Sequence, residues 1–381
     1  MFDRLEGRLL RKIAGNKMKK LPARIKSSLK RRKIDALLVS QPENRRYLSG
    51  YSGADHGIGE SAGFLLIPAK GEPFLLTDSR FKLQAEKEAA GFNVTLYPRG
   101  LHKLLQKLLP SLGIKKLAFE SHYTLHSTAL ALEKMATKIN IEIVGLKGLV
   151  ERYRTRKTAD EISLIQRSVT LNEEIFQEVY KQLQPGMTER HIARLVENLM
   201  VEKGAEQPSF PTIVAGGPNA ALPHAVPSAR PVREGETVVI DMGLVLEGYC
   251  SDMTRTIVLG CPDNRTVELF RLVRKAQMAG MAAIKAGVTA RDVDLAARKI
   301  IKDAGYGDYF GHGLGHGVGL AVHEAPSLSS RNRQKLQAGM VVTVEPGIYI
   351  PDWGGIRLEN MVVVKESGFM DLNQDRTFLD I

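Results

Sequence analysis

Glu234-Gly235-Glu236-Thr237-Val238-Val239-Ile240-Asp241 and Ala338-Gly339-Met340-Val341-Val342-Thr343-Val344-Glu345 are one pattern written twice. Each passes from a glycine into an almost unbroken apolar run and closes on a carboxylic acid. An apolar run without polar alternation predicts a strand buried on both faces. A carboxylate at the end of such a strand is costly unless it is paired or binds a cation. Upstream, Leu183-Gln184-Pro185-Gly186-Met187-Thr188-Glu189-Arg190-His191-Ile192 parallels Ile284-Lys285-Ala286-Gly287-Val288-Thr289-Ala290-Arg291-Asp292-Val293. In both, a glycine ends one helix and a threonine caps the next, which runs to Gly204 or Gly305. A second acid follows each strand, Asp252 in the first copy and Glu359 in the second. The repeat predicts an α+β domain of two helix–helix–sheet units about a pseudo-twofold, with four carboxylates meeting at its centre.

Between the helices of the second copy and its acid-ending strand lies Phe310-Gly311-His312-Gly313-Leu314-Gly315-His316-Gly317-Val318-Gly319-Leu320-Ala321-Val322-His323-Glu324. Its three histidines, at spacings of four and seven, are three of the nine in the chain. Glycine at this density suits neither a helix interior nor a packed strand, and predicts a backbone that bends tightly and comes close to a ligand. Histidine is the commonest neutral metal ligand. Asp241, Asp252, Glu345 and Glu359 with His316 give four negative charges and one imidazole, which two divalent ions neutralise before any bridging hydroxide is added. Hard oxygen donors with a single imidazole suit manganese best, with cobalt or zinc as alternatives. Two such ions about 3.5–4 Å apart lower the pKa of a shared water and stabilise a tetrahedral oxyanion.

At 381 residues the chain is long for one core, so two domains are expected. From Ile34 the chain alternates apolar runs with helical periodicity. Strands are predicted over 34–40, 63–68, 73–78, 92–97 and 116–120, and helices over 81–90, 101–112 and 125–138, an α/β domain covering residues 21–150. Its polar residues converge on no metal or nucleophile pattern, and Asp55 and His56 read as ordinary loop residues. A long helix is predicted from Thr158 to about Gln184, opening a domain over 151–381. The net charge of +12 is local: residues 1–33 hold thirteen Lys or Arg against Asp3 and Glu6, so the body is nearly neutral. A basic leader over 1–20 reads as a solvated amphipathic helix, with contact to an anionic membrane or nucleic acid as the secondary reading. No nucleic-acid partner is expected. Two cysteines, Cys250 and Cys261, imply no disulfide framework, and no apolar run approaches the roughly 18 residues of a membrane span. A cytoplasmic location is expected.

Together these residues resemble the pita-bread metallopeptidase family of methionine aminopeptidases, aminopeptidase P and prolidase. The resemblance covers about residues 155–365 and rests on Pro223-His224-Ala225, Asp241-Met242-Gly243, Ser251-Asp252-Met253-Thr254-Arg255-Thr256, Gly315-His316-Gly317-Val318-Gly319, His323-Glu324, Glu345-Pro346-Gly347 and Arg357-Leu358-Glu359-Asn360. The first half is similar to the creatinase-type domain of the Xaa-Pro-cleaving branch, chiefly at Asn44-Arg45-Arg46-Tyr47-Leu48-Ser49-Gly50. The resemblance implies that Asp241 chelates one metal, that His316 and Glu345 hold the other, and that Asp252 and Glu359 bridge. It further implies catalytic roles for His224, His323 and Glu345, with Glu345 shuttling the proton of the nucleophilic water. It also implies that His224, His312 and His323 face substrate and that Arg357 orients the acids. The implied reaction is attack of a metal-bridging hydroxide on the bond before proline in an Xaa-Pro dipeptide or a longer peptide, by a homodimer. A methionine aminopeptidase is disfavoured by the size of the first domain, and a metal-free creatinase-like amidohydrolase by the intact ligands. A non-prolyl hydrolase, or a peptide- or protein-binding module of the same fold, is the alternative. The apolar pocket that a proline ring needs is not identifiable from the sequence.

Overall fold

The computed structural model describes residues 23–57, 59–375 and 377, so the basic leader lies outside the described residues. The chain divides into two compact units, Met1–Tyr153 and Arg154–Ile381.

In the first unit six strands form a mixed sheet: β1 (Ala36–Val39), β2 (Phe64–Pro68), β3 (Phe74–Thr77), β4 (Asn93–Leu96), β5 (Lys116–Glu120) and β6 (Glu142–Leu146), in the order β4-β3-β2-β1-β5-β6. The helix Leu101–Ser111 lays Leu101, Leu105 and Leu109, one turn apart, into a core with Leu117, Phe119, Leu132 and Met135. The helix Pro42–Ser49 and the strand β6 were not expected from the sequence. The helix buries Asn44, Arg45 and Ser49 beside Tyr47 and Leu48, so its buried face is mostly polar and shows no apolar periodicity. Its entry is closed by Glu120 from β5, which accepts the backbone N–H groups of Ser40 at 2.7 Å and Gln41 at 2.8 Å. Asp55 is more than an ordinary loop residue: it pairs with the fully buried Arg45 at 2.7 Å and accepts the Ala62 N–H at 2.7 Å. A buried guanidinium requires that partner.

The second unit is built as the repeat predicts. Helices Ala159–Tyr180 and Glu189–Glu202 form the first pair, Asn264–Ala282 and Ala290–Asp303 the second. Thr158 caps the first helix in a capping box with Glu161, and the helix ends at Tyr180, four residues before the expected Gln184. Thr188 and Thr289 cap the second helix of each pair by accepting the N–H of His191 and Asp292. Gly186 and Gly287 precede them at φ 92° and 90°, where a side chain would be strained. The two copies also share their main-chain ties. Gly186 N–H donates to Val232 and Gly287 N–H to Leu336; Gly235 N–H donates to Leu259 and Gly339 N–H to Val364.

The first copy contributes β7 (Gln207–Pro208), β8 (Ile213–Gly216), β9 (Thr237–Met242), β10 (Leu244–Leu246), β11 (Tyr249–Cys250) and β12 (Met253–Val258), paired as β12-β9-β8 and β11-β10-β7. The second contributes β13 (Gly315–Gly317), β14 (Glu324–Leu328), β15 (Val341–Val344), the hairpin β16 (Gly347–Ile350) and β17 (Gly354–Arg357), then β18 (Asn360–Val364) and β19 (Phe369–Asp371). Their main sheet runs β14-β13-β15-β18-β19. The glycine-rich stretch thus supplies an interior strand, against the expectation that it suits no packed strand. None of Gly311, Gly313, Gly315, Gly317 and Gly319 has a positive φ. What Gly315 and Gly317 provide is close approach: a Cβ on them would lie 2.2 Å from the Thr343 carbonyl oxygen and 2.4 Å from that of Ala325.

Candidate metal centre

The acids occupy matching places in the two copies. Asp252 lies in the two-residue link between β11 and β12, and Glu359 in the equivalent link between β17 and β18. Asp241 lies near the end of β9, in register with Ile213 on one side and Thr254 on the other. Glu345 follows β15 directly, and His316 is the middle residue of β13. Strands that are apolar for burial therefore deliver carboxylates to one interior point.

Donor atoms of Asp252, His316 and Glu359 lie within 4.8 Å of one another. His316 Nε2 is 3.5 Å from Asp252 Oδ2 and 3.4 Å from Glu345 Oε1. His316 Nδ1 is 3.1 Å from the Gly317 carbonyl. A carbonyl only accepts, so Nδ1 carries the proton and Nε2 presents a lone pair. Burial, aided by His323, lowers the His316 pKa to about 4, so the ring is neutral. The two imidazoles meet edge to face, with centroids 4.3 Å apart. A neutral lone pair aimed at two carboxylate oxygens is repulsive by itself and attractive around a cation.

The carboxylates carry the same signature. Burial and then the charges of Glu359, Asp241 and Glu345 push Asp252 well above the usual carboxylate range. Glu359 is raised for the same reasons, and burial brings Glu345 up to about 8. Asp241 accepts from Arg357 Nη2 at 2.6 Å through Oδ2, while its buried Oδ1 has no hydrogen-bond partner among the described residues. An orphaned carboxylate oxygen, a deprotonated ring nitrogen and three destabilised carboxylates are a donor set that fits divalent cations.

A ring of neutral and cationic groups holds these donors in place. Thr254 Oγ1 donates to Glu359 Oε2 at 2.8 Å and accepts from Arg357 Nε at 3.0 Å. Thr343 Oγ1 accepts the His316 N–H at 3.0 Å and donates to Glu345 Oε1 at 3.3 Å. The buried Tyr349 hydroxyl accepts from Arg357 Nη1 at 3.0 Å and lies 2.9 Å from His312 Nε2. Burial lowers the pKa of His312 to about 4 and also lowers that of His323. Sequence reasoning missed Thr254, Thr343 and Tyr349. Thr254 and Thr343 sit two residues from a proposed ligand on a strand, a spacing that could have flagged them; Tyr349 gave no such signal.

All nine residues singled out from the sequence, His224, Asp241, Asp252, His312, His316, His323, Glu345, Arg357 and Glu359, line one cavity of about 570 Å³. Asp252, His316 and Glu359 form its tightest cluster, Glu345 approaches through His316, and Asp241 is drawn toward Arg357. Phe210, Pro211, Ile213, Pro223 and Val226 supply an apolar wall that the sequence did not reveal.

The chain belongs to metallopeptidase family M24, whose model matches residues 163–366, and its first unit matches the Creatinase/Prolidase N-terminal domain over residues 23–156. It is a metal-dependent hydrolase that joins a creatinase-type α/β domain to an α+β pita-bread domain with an internal pseudo-twofold repeat. An Xaa-Pro dipeptidase of Pyrococcus horikoshii is 36% identical over 338 residues, 88% of this chain and 91% of that one. The structure of an Xaa-Pro dipeptidase from Bacillus anthracis matches with a TM-score of 0.88 at 36% identity, covering 94% of this chain and 98% of the other. That of an X-Pro aminopeptidase from Thermotoga maritima MSB8 matches with a TM-score of 0.82 at 37% identity, covering 90% and 96%.

Proposed function

We propose that this protein hydrolyses the peptide bond between an N-terminal residue and a following proline. The observation that carries the reading is the convergence of five metal-type donors, three histidines and an apolar wall on a single cavity. Asp241, Asp252, His316, Glu345 and Glu359 would hold two divalent ions, manganese by the hardness of the oxygen donors. When bound, these ions supply Lewis-acid polarisation of the carbonyl and activation of water at neutral pH.

The chain's own side chains do the rest. Glu345, beside His316, takes the proton of the attacking water and can pass it to the departing proline nitrogen. His323 donates a hydrogen bond to the carbonyl oxygen as negative charge develops there, and His224 lines the same cavity to bind substrate. Arg357 fixes one oxygen of Asp241 and leaves the other for the ion. A proline nitrogen has no N–H, so its ring needs an apolar surface rather than a backbone acceptor. Phe210, Ile213 and Val226 offer that surface, and His312, tethered to Tyr349, shapes its rim.

Homodimerisation and a cytoplasmic location belong to the same proposal. Light scattering of the purified chain and fractionation of cells check them, and metal analysis of the purified chain checks for manganese. The decisive experiment compares an Xaa-Pro dipeptide with an Xaa-Pro-Xaa tripeptide, with Mn²⁺ and with chelator. Cleavage of the dipeptide alone makes the protein a dipeptidase, and cleavage of the longer peptide makes it an aminopeptidase. Loss of neither peptide while metal is bound would overturn the prolyl reading and favour another amide bond.

A further inference from the structure

The last described residues bond to the strands beside the proposed ligands, and none of them lines the cavity. Glu173, on the helix Ala159–Tyr180, accepts the backbone N–H groups of Gln374 at 2.8 Å and Asp375 at 2.9 Å, and the Asn373 side chain at 3.1 Å. Asn373 Oδ1 in turn accepts the Met361 N–H at 2.7 Å. Four residues along the same helix, Gln177 donates to Asp375 and to Thr377. This segment carries the Asp375 carboxylate to Arg255, with Oδ2 2.6 Å from Nε and the two side chains 1% and 0% exposed.

Arg255 is a residue of β12, and no part of its guanidinium reaches the cavity lining. Its Nη1 donates to the Glu359 carbonyl at 2.6 Å and the Thr254 carbonyl at 3.0 Å. Those residues are already joined twice: the Glu359 N–H donates to the Thr254 carbonyl at 3.1 Å, and Thr254 Oγ1 donates to the Glu359 carboxylate at 2.8 Å. A guanidinium is a rigid planar fork, so the partner of Nε sets where Nη1 points. A further carboxylate near Arg255 among the described residues is that of Glu173, 3.9 Å from Nη2. Without Asp375, turning the fork toward Glu173 would pull Nη1 off the Glu359 carbonyl.

We propose that Asp375 is a positioning residue of the metal centre, which acts through Arg255 to fix the backbone carrying Glu359 and thereby sets the affinity for divalent cations. The inference rests on the reading of Glu359 as a metal ligand. It gives the segment around Asp375 a part in metal retention, although none of its described residues lines the cavity.

The test is calorimetric titration of the chelator-treated full chain with Mn²⁺, with the melting temperature of the metal-free protein read in parallel. Asp375→Asn keeps an acceptor for Nε and removes the charge, and is expected to weaken Mn²⁺ binding about 10-fold; Asp375→Ala is expected to cost 10- to 100-fold. Gln166→Ala removes a different anchor of the segment, the 2.8 Å bond to the Leu372 carbonyl, and should leave Mn²⁺ binding within twofold. Unchanged Mn²⁺ affinity in Asp375→Asn, with a lowered melting temperature, would reduce Asp375 to a structural role and overturn the proposal. Glu359→Ala separates the two readings. If it binds Mn²⁺ like the wild type, the ligand assignment fails; if it does not while Asp375→Asn does, only the present inference fails. Should the Asp375 variants not fold, the wild type decides, because coupling is reciprocal. Mn²⁺ should slow hydrogen exchange at the Gln374 and Asp375 amides about 10-fold, and unchanged exchange would refute the coupling.

Discussion

Glu324→Gln tests how the histidine-bearing loop is held. Glu324 follows His323 and is itself enclosed, with Arg154 Nη2 2.5 Å from Oε1 and Lys157 Nζ 3.1 Å from Oε2. The three side chains are 6%, 4% and 2% exposed, and the Ala321 N–H adds a third donor at 3.1 Å. Glutamine keeps the shape and removes the charge, leaving two buried cations without this anion. Breaking a buried ion pair costs about 3–5 kcal/mol. For a unit of this size, about 2–4 °C per kcal/mol, the melting temperature of the second unit should fall by roughly 6–20 °C.

The pH dependence gives the sharper check. Burial pushes Glu324 up, but Lys157 and Arg154 overrule it and hold the carboxyl below its ordinary value. A depressed folded pKa contributes stability that is fully present above the unfolded value of about 4.3 and is lost as the pH falls through the folded value. Urea unfolding of the two proteins should therefore show a constant gap from pH 7 to 5, narrowing only below about pH 4. A difference under about 1 kcal/mol at pH 7, or a gap that already closes between pH 7 and 5, would show that Glu324 is not a buried ionic anchor.

Three further outcomes follow from the site. In the metal-free protein Glu345 is raised to about 8 by burial, so its contribution is present at low pH and is lost as the pH rises through that value. The melting temperature of chelated protein should therefore fall between pH 6 and 9 while that of Mn²⁺-loaded protein holds, and parallel curves would contradict the cation reading. Tyr349→Phe removes the hydroxyl shared by His312 and Arg357 without opening a cavity, so a loss of about 1–3 kcal/mol and a KM raised about fivefold through a loosened His312 are expected in urea titration and steady-state kinetics. Gly315→Ala would set a Cβ 2.2 Å from the Thr343 carbonyl oxygen and should cost about 3 kcal/mol or more, whereas Gly311→Ala meets nothing within 4 Å and should melt near the wild type.

Much of this architecture is written in local patterns. Thr158, Thr188 and Thr289 announce helix starts because a cap is satisfied within three residues. Gly186 and Gly287 do not end the preceding helices, which stop at Tyr180 and Ala282; they lie in the turns that follow, at φ near 90°. The two acid-ending strands were legible because burial on both faces removes polar alternation, and their repetition pointed to a centre where acids meet. The glycine-rich stretch put His316 among the donors, and the resemblance then implied the roles of His224, His312 and His323. The helix Pro42–Ser49 escaped for the opposite reason: its buried Asn44 and Arg45 are satisfied by Glu120 and Asp55, partners that no periodicity reveals.

What only the tertiary structure decided are relations between residues far apart in the chain. The glycines around His316 could be read as a bending loop until the Thr343 and Ala325 carbonyls were seen where their Cβ atoms would be. The apolar wall of Phe210, Ile213 and Val226 becomes a surface only when the cavity forms, since each residue alone is ordinary. Asp375 lies 120 residues from Arg255, and no local spacing foretells that bond. The sequence by itself determines most of the helices and strands and which side chains are costly to bury. Folding decides which of those costs are met by a neighbour, such as Asp241 Oδ2 on Arg357, and which are not, such as that of Asp241 Oδ1, which has no hydrogen-bond partner among the described residues. The physical reason is that propensity and capping act within a turn or two of the chain. Buried charge is settled by whatever the fold brings within about 4 Å.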